Sequence, residues 1–391
     1  MDSPKKHIVI VAGETSGDMH AAHLVDAIKK IDPSVRFSGL GGPQMKECGV
    51  DIYFDLTQIA VVGFFEVLKH YSEFKKVFDD ILKKIKETKP DAVILVDYPG
   101  FNLRLAKAIR QAKIPTKIIY YISPQVWAWK ANRVFQIKKN VDKMLVLFKF
   151  EVDFYKRFGM DVDFVGHPLI DIVQPSVSKE DFLRSIGFED YKFTVGLLPG
   201  SRRKEVEKHL PVMLKAAALL KKDFPMLQCL IMKAPGIDVG NPSNNEKPEN
   251  STSEAKKKSP SFFKIIENNT YNAINACDAC MVTSGTATLE TAVLQKPMVV
   301  MYKTSFLTWV IAKLLIKIPN IGLVNVVAGK RIVPECVQFD ATGEKIATEI
   351  KRILSDDLKR NEIRRNLIAV KDSLGPGGAA DRAAGKILAI L

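Results

Sequence analysis

Asp91-Ala92-Val93-Ile94-Leu95-Val96-Asp97-Tyr98-Pro99-Gly100-Phe101 carries the clearest strand-and-turn pattern in the chain. Its middle is a short, unbroken, largely β-branched apolar run, which fits a strand buried on both faces of a parallel sheet. The run stops at Asp97. Pro99-Gly100 turns the chain, and a helical pattern begins near Asn102 with Leu103, Ala106, Ile109 and Arg110. In an open α/β sheet, ligands sit beyond the carboxyl ends of the strands. A carboxylate at that place is a candidate general base; the alternative is an aspartate that merely caps its turn.

The same strand-turn-helix unit recurs on both sides. Ile8-Val9-Ile10-Val11-Ala12 reads as the first buried strand, followed by Gly13-Glu14-Thr15-Ser16-Gly17-Asp18 and a helix with Leu24, Ala27 and Ile28 on one side. A glycine-flanked turn lets backbone N–H groups approach an anion at a helix start, so Ser16 and Gly17 are candidate phosphate or sugar contacts. The spacing is not G-x-G-x-x-G, so a dinucleotide fingerprint is not supported. A tight turn with Ser16 or Asp18 as N-cap is the other reading. Phe37-Ser38-Gly39-Leu40-Gly41-Gly42-Pro43 is a second strand entering a glycine-rich turn. Lys117-Ile118-Ile119-Tyr120-Tyr121-Ile122 is another, and Ser123-Pro124-Gln125-Val126-Trp127-Ala128-Trp129 after it holds two of the three tryptophans. Such rings either stack on a sugar or base or fill a core. After a strand at 143–148, Phe164-Val165-Gly166-His167-Pro168 closes this half, with His167 read as a hinge or packing residue.

A second α/β half opens at Phe193-Thr194-Val195-Gly196-Leu197-Leu198 and turns at Pro199-Gly200-Ser201-Arg202-Arg203-Lys204-Glu205. Cations disfavour a helix N-terminus, so their clustering there points to a bound anion, with Arg202 able to clamp a diphosphate. Residues 236–260 are polar and rich in Pro, Asn, Ser and Lys, and read as a mobile surface loop. Ala279-Cys280-Met281-Val282 is a strand leading to Thr283-Ser284-Gly285-Thr286-Ala287-Thr288-Leu289-Glu290. Its hydroxyls and Gly285 form a second anion pocket, and Glu290, one turn into the helix, can accept bonds from a ribose diol. Alternatively Ser284 is an N-cap and Glu290 a first-turn acid. A strand at 297–302 precedes Gly322-Leu323-Val324-Asn325-Val326-Val327-Ala328-Gly329, read as a glycine-bounded loop with one uncharged polar group. Two helical stretches, separated by Gly375-Pro376-Gly377-Gly378, end the chain. Repeated βα units predict an α/β protein of two Rossmann-like domains facing across a cleft. The expected divisions are 1–170, 171–360 and a helical 361–391 that packs back on the first domain or on a partner subunit.

With 391 residues, two domains are the default. Lys+Arg minus Asp+Glu is 58 − 44 = +14, which suggests an anionic partner without choosing among nucleic acid, phosphate-bearing ligand and acidic membrane. The odd, scattered set of five cysteines suits a reducing compartment, and Cys277-Asp278-Ala279-Cys280 reads as structural. No secretory signal is visible. The longest apolar stretch, 306–318, is broken by Lys313 and Lys317, short of what a bilayer requires. A cytoplasmic protein with at most peripheral membrane contact is expected. Residues 59–68 are unusually apolar and aromatic, and Tyr71, Phe74, Phe78, Ile81 and Ile85 continue as one helical stripe, with Lys69, Lys76 and Lys83 on another face. A core helix with a solvated lysine face explains this. So does a lip formed by Val61, Val62, Phe64, Phe65, Leu68 and Lys69 leaning on an anionic membrane.

Gly13-Glu14-Thr15-Ser16-Gly17-Asp18, Asp97-Tyr98-Pro99-Gly100-Phe101-Asn102, Ser123-Pro124-Gln125-Val126-Trp127-Ala128-Trp129, Gly166-His167-Pro168, Leu198-Pro199-Gly200-Ser201-Arg202, Ser284-Gly285-Thr286-Ala287-Thr288-Leu289-Glu290 and Asn325-Val326-Val327-Ala328-Gly329 together resemble the lipid-A-disaccharide synthase family. They occur in the family's order and span nearly the whole chain outside 236–260. Arg203-Lys204 is more basic than the family commonly shows, and 236–260 is not a family motif.

The resemblance implies an inverting glycosyltransferase of the GT-B type. It would join UDP-2,3-diacylglucosamine to 2,3-diacylglucosamine 1-phosphate, giving a β-1,6-linked disaccharide 1-phosphate and UDP. Asp97 would be the base. Ser16, Gly17, Arg202, Ser284, Gly285 and Thr286 would receive the nucleotide sugar, Glu290 its ribose, and Asn325 nearby uridine or sugar groups. No cofactor and no metal are expected, since no Asp-x-Asp stands at a strand end. The implied setting is the inner membrane's cytoplasmic face; a homodimer is left open. Two rivals remain: another UDP-sugar enzyme of this fold (an epimerase or lipid-linked glycosyltransferase), marked by a water-soluble substrate, or a basic RNA-binding protein with strongly salt-dependent affinity. No RNA module or basic-aromatic platform is present.

Overall fold

The computed structural model describes residues 6–57, 71–190, 192–240, 262–315 and 318–391. The chain divides into two compact units, one running to Pro168 and resuming at Leu374–Leu391, the other Leu169–Ser373. The expected lip of Val61, Val62, Phe64, Phe65, Leu68 and Lys69 lies outside the described residues, as does most of 236–260.

In the first unit the strands are β1 (His7–Ala12), β2 (Arg36–Gly41), β3 (Asp51–Asp55), β4 (Ala92–Val96), β5 (Lys117–Tyr121), β6 (Lys143–Val146) and β7 (Asp163–Phe164). They pair in parallel in the order β3-β2-β1-β4-β5-β6-β7. All five residues of β4 are 0% exposed, as an unbroken apolar strand between two helical layers must be. Val9 and Val11 stand beside Val93 and Leu95 in register, on one face of the sheet. There they meet Phe101, Leu105 and Ile109 of the helix Pro99–Gln111 and Val77, Ile81 and Ile85 of the helix Tyr71–Thr88. Each such side chain taken from water stabilises the fold by about 1.5–3 kcal/mol. Lys76 and Lys83 of the latter helix remain exposed.

The second unit holds β8 (Thr194–Leu198), β9 (Gln228–Lys233), β10 (Phe263–Glu267), β11 (Ala279–Thr283), β12 (Met298–Tyr302) and β13 (Glu335–Val337), parallel in the order β10-β9-β8-β11-β12-β13. Both sheets are therefore doubly wound. In each, the strand order reverses at one place: between β1 and β4, and between β8 and β11. Such switch points open a crevice beyond the carboxyl ends of the strands, and four of the sequence motifs, those at 13–18, 97–102, 198–202 and 284–290, fall on the turns after these strands.

The two last helices belong to different units. Asp357–Ser373 packs on Ala287–Val293 in the second unit, whereas Ala379–Leu388 packs along Thr15–Ile31 in the first. Arg382 fixes the return: its guanidinium donates to the carbonyls of Val165, Pro376 and Gly377 at 2.9, 2.7 and 2.5 Å. Leu374 accepts the His167 N–H at 2.8 Å. One expectation needs correction: 322–329 is not a loop, because Leu323–Val327 is helical.

Candidate functional site

Beyond β4 the backbone does something costly. Asp97 and Tyr98 have φ of +44° and +43°, consecutive left-handed residues neither of which is glycine. Three contacts impose this. The Asp97 N–H donates to the Tyr121 carbonyl at 3.0 Å, and its own carbonyl accepts the Tyr120 hydroxyl at 2.5 Å and the buried Asn102 amide at 2.8 Å. Every one of them uses main-chain atoms, so the carboxylate is left for other work. It is partly exposed. Burial, reinforced by the Glu14 charge, pushes its pKa up to about 6.

The turn after β1 lies alongside. A Cβ on Gly13 would fall 2.2–2.7 Å from the Tyr98 ring, so the ring seals against bare backbone at that position. Ser16 is exposed and Gly17 buried under it. A side chain at Gly17 would meet Ala12 and the Val96 carbonyl only at ordinary contact distance, 3.6 and 3.9 Å. Asp18 does not serve a ligand. It is 1% exposed and accepts the N–H groups of Gly42, Gln44 and Met45 at 2.7, 3.0 and 3.2 Å, capping the neighbouring helix Pro43–Glu47.

The tryptophans behave differently from each other. Trp127 donates to Glu151 at 3.2 Å and lies edge-on to Phe150. Glu151 is 2% exposed and burial pushes its pKa up to about 7. Trp129 is 43% exposed, with the Lys130 ammonium 4.1 Å from its ring centre.

In the second unit the turns after β8, β9, β10 and β11 enclose a cavity of about 590 Å³. Gly200, Ser201 and Arg202 form one wall, and Ser284, Gly285, Thr286 and Glu290 another. Arg202 is nearly free: its side chain is 77% exposed and only one nitrogen reaches Glu205, at 3.5 Å. Glu205 is the brace of that turn. It accepts the Ser201 N–H at 3.2 Å and packs where a Cβ on Gly200, at φ +123°, would have to go. Ser284 spends its hydroxyl proton on the Ile321 carbonyl at 2.7 Å, while Thr286 is exposed. Burial pushes the Glu290 pKa up to about 7, and among the described residues nothing donates a hydrogen bond to its carboxylate. A carboxylate that lines the cavity with no protein donor spending its lone pairs suits a diol. Lys233, Asn268, Thr270 and Tyr271 also line the cavity; no sequence pattern marked them.

Asn325 is a correction. It is 0% exposed, and its amide is fully used inside the protein. The Nδ2 group donates to Glu335 at 2.8 Å and to the Val333 carbonyl at 3.0 Å, and Oδ1 accepts the N–H groups of Ile332 and Val333 at 2.8 and 3.1 Å. No capacity is left for a ligand. Removing that amide strands several buried partners at about 1–3 kcal/mol each. Asn325→Ala is expected to lower stability by about 2–4 kcal/mol, read from denaturant unfolding, with unchanged UDP affinity well below the transition. Wild-type stability combined with lost UDP affinity would return Asn325 to the ligand set.

The structure thus gathers Arg202, Ser284, Gly285, Thr286 and Glu290 in one cavity, Asp97, Ser16 and Gly17 at the other switch point, and Asn325 at neither. A family model described as lipid-A-disaccharide synthetase matches residues 8–377. The lipid-A-disaccharide synthase of Geobacter metallireducens is 41% identical over 389 residues, covering 100% of this chain and 98% of that protein. The lipid-A-disaccharide synthase of Syntrophus aciditrophicus is 44% identical over 386 residues, covering 99% and 98%. Among solved structures, UDP-GlcNAc 2-epimerase of Neisseria meningitidis bound to UDP-GlcNAc superposes with a TM-score of 0.62 at 14% identity, over 98% of this chain and 100% of that one. Acinetobacter baumannii MurG gives 0.59 at 12%, over 98% and 99%. At such identity these structures speak to the fold alone.

Proposed function

The chain belongs to the lipid-A-disaccharide synthase family of glycosyltransferases, and from that premise we propose that it joins UDP-2,3-diacylglucosamine to 2,3-diacylglucosamine 1-phosphate with Asp97 as the base. The acceptor's 6-hydroxyl oxygen bonds to the donor's anomeric carbon while the bond from that carbon to the UDP oxygen breaks. Asp97 takes the hydroxyl proton, and inversion gives the β-1,6 linkage. The observation that carries this reading is the Asp97 carboxylate itself. It stands at a switch point, raised to about 6 by burial, while the strained main chain is held by other atoms. A base with that pKa is mostly ionised near neutrality yet still basic enough to accept a proton.

Negative charge grows on the departing diphosphate. Arg202, the backbone N–H groups of the Ser284, Gly285 and Thr286 turn, and the Ser16-Gly17 turn are proposed to stabilise it without a metal. Glu290 holds the ribose diol. Ser284, whose proton is committed to Ile321, contributes its backbone and oxygen rather than a donated hydroxyl bond. The acylated substrates place the reaction at an anionic membrane surface, to which a chain of net charge +14 with exposed Lys76 and Lys83 is attracted. Among the described residues no helix is long and apolar enough to cross a membrane, so the proposed contact is peripheral.

The test is direct. Purified protein given both acylated sugars, with and without EDTA, should release UDP and the disaccharide 1-phosphate, identified by mass spectrometry, at equal rates. Product from UDP-N-acetylglucosamine alone, as an epimer, would overturn the reading.

A further inference from the structure

His209 has no part in the chemistry above, yet it sits under the nucleotide cavity. It is 0% exposed on the sheet-facing stripe of the helix Arg203–Asp223, between Val206 and Met213. Its ring reaches the ends of three strands. Nδ1 is 3.2 Å from the Pro199 carbonyl after β8 and 3.2 Å from the Thr283 hydroxyl that ends β11. Nε2 accepts the Lys303 N–H after β12 at 3.0 Å, with the Lys303 carbonyl at 3.1 Å. Pro199 needs a donor and the Lys303 N–H needs an acceptor, so the neutral ring with its proton on Nδ1 satisfies both.

The ends of parallel strands leave backbone groups without ladder partners, and buried ones must be paired somehow. Here a single imidazole pairs backbone groups after β8 and β12 and meets the Thr283 side-chain hydroxyl at the end of β11 between them. Of its two anchor points on the cavity side, Pro199 stands one residue before the wall formed by Gly200 to Arg202, and Thr283 itself lines the cavity directly before Ser284 to Thr286. We propose that His209 is a positioning residue for the donor nucleotide: by tying the ends of β8, β11 and β12 it sets the spacing of the two turns that grip the diphosphate. This rests on the UDP-sugar reading of that cavity. A shift of an ångström or less between the two walls would loosen both grips at once, since phosphate recognition by a clamp depends on geometry more than on charge alone.

The test uses the full-length protein in three forms, His209→Ala, His209→Gln and Thr283→Val, with UDP affinity by calorimetry and the Michaelis constants of both sugars. His209→Ala should weaken UDP binding and raise the donor constant by roughly 10-fold, the scale of one or two lost buried hydrogen bonds. The acceptor constant should not move. His209→Gln, whose amide can meet the Lys303 N–H, should recover part of the loss. Thr283→Val keeps the side-chain shape and removes one tie, so it should show a smaller donor-specific loss even if His209→Ala folds poorly. Wild-type UDP affinity in both Thr283→Val and His209→Gln would overturn the tie, as would donor and acceptor constants rising together. A wild-type protein that binds no UDP would overturn the donor reading itself.

Discussion

Asp97→Asn is expected to fold normally and to lose turnover by roughly 10²- to 10⁴-fold, the usual cost of removing a general base. Asparagine is the right replacement because it tolerates the left-handed backbone that Asp97 adopts at φ +44°. The contacts that hold this backbone run through the main chain of residue 97 and are unaffected. The loss should appear in kcat, because the substitution leaves every residue proposed to grip the nucleotide unchanged. Stability should move the opposite way from activity. A carboxyl whose pKa is raised from 3.8 to about 6 in the folded protein favours folding in its acid form. That contribution is complete below about 3.8 and is lost as pH rises through about 6. Asp97→Asn should therefore match the wild type in stability near pH 4 and exceed it by about 1–3 kcal/mol at pH 8. A variant that is inactive and also destabilised at pH 8 would mark Asp97 as a structural cap.

Arg202→Ala is the second large expected effect. The guanidinium is 77% exposed and has one long contact, to Glu205 at 3.5 Å, so its removal should cost little stability. A hydrogen bond to a charged group contributes about 1.5–3 kcal/mol, so UDP affinity and the donor Michaelis constant should worsen by roughly 10- to 100-fold. Arg202→Lys keeps the charge but not the planar fork, and should fall between. Calorimetry showing unchanged nucleotide affinity in Arg202→Ala would remove it from the site.

The strands were legible because parallel sheets demand unbroken apolar runs, and β4 is one. The places of Asp97, the Arg202 turn and the 284–290 stretch were legible because each stands directly after a strand end in sequence. What escaped is what depends on distant partners. Asn325 resembles a ligand in sequence, being one polar group among small and apolar ones. Its role is settled by Glu335 and Val333, which no local period links to it. Asn268 and Tyr271 line the cavity from the far side of the polar 236–260 segment, and neither belongs to a glycine-rich turn or a charged cluster that would single it out. His209 looks like an ordinary member of a helical stripe, and only three-dimensional pairing reveals its ties. Cys277 and Cys280 are structural, as their place at the entry to an apolar strand indicates: both are buried against Gly196, and burial drives the Cys277 thiol pKa upward.

In the proposed transfer the Asp97 carboxylate takes the acceptor's proton. The most direct test of this is the pH dependence of kcat/KM for the acceptor at saturating donor, with Glu290 covered by bound nucleotide. Wild type should rise along a single acid limb with an apparent pKa near 6, the value burial gives Asp97, and Asp97→Asn should lack that limb in its residual rate. The same limb persisting in Asp97→Asn would show that another group takes the proton.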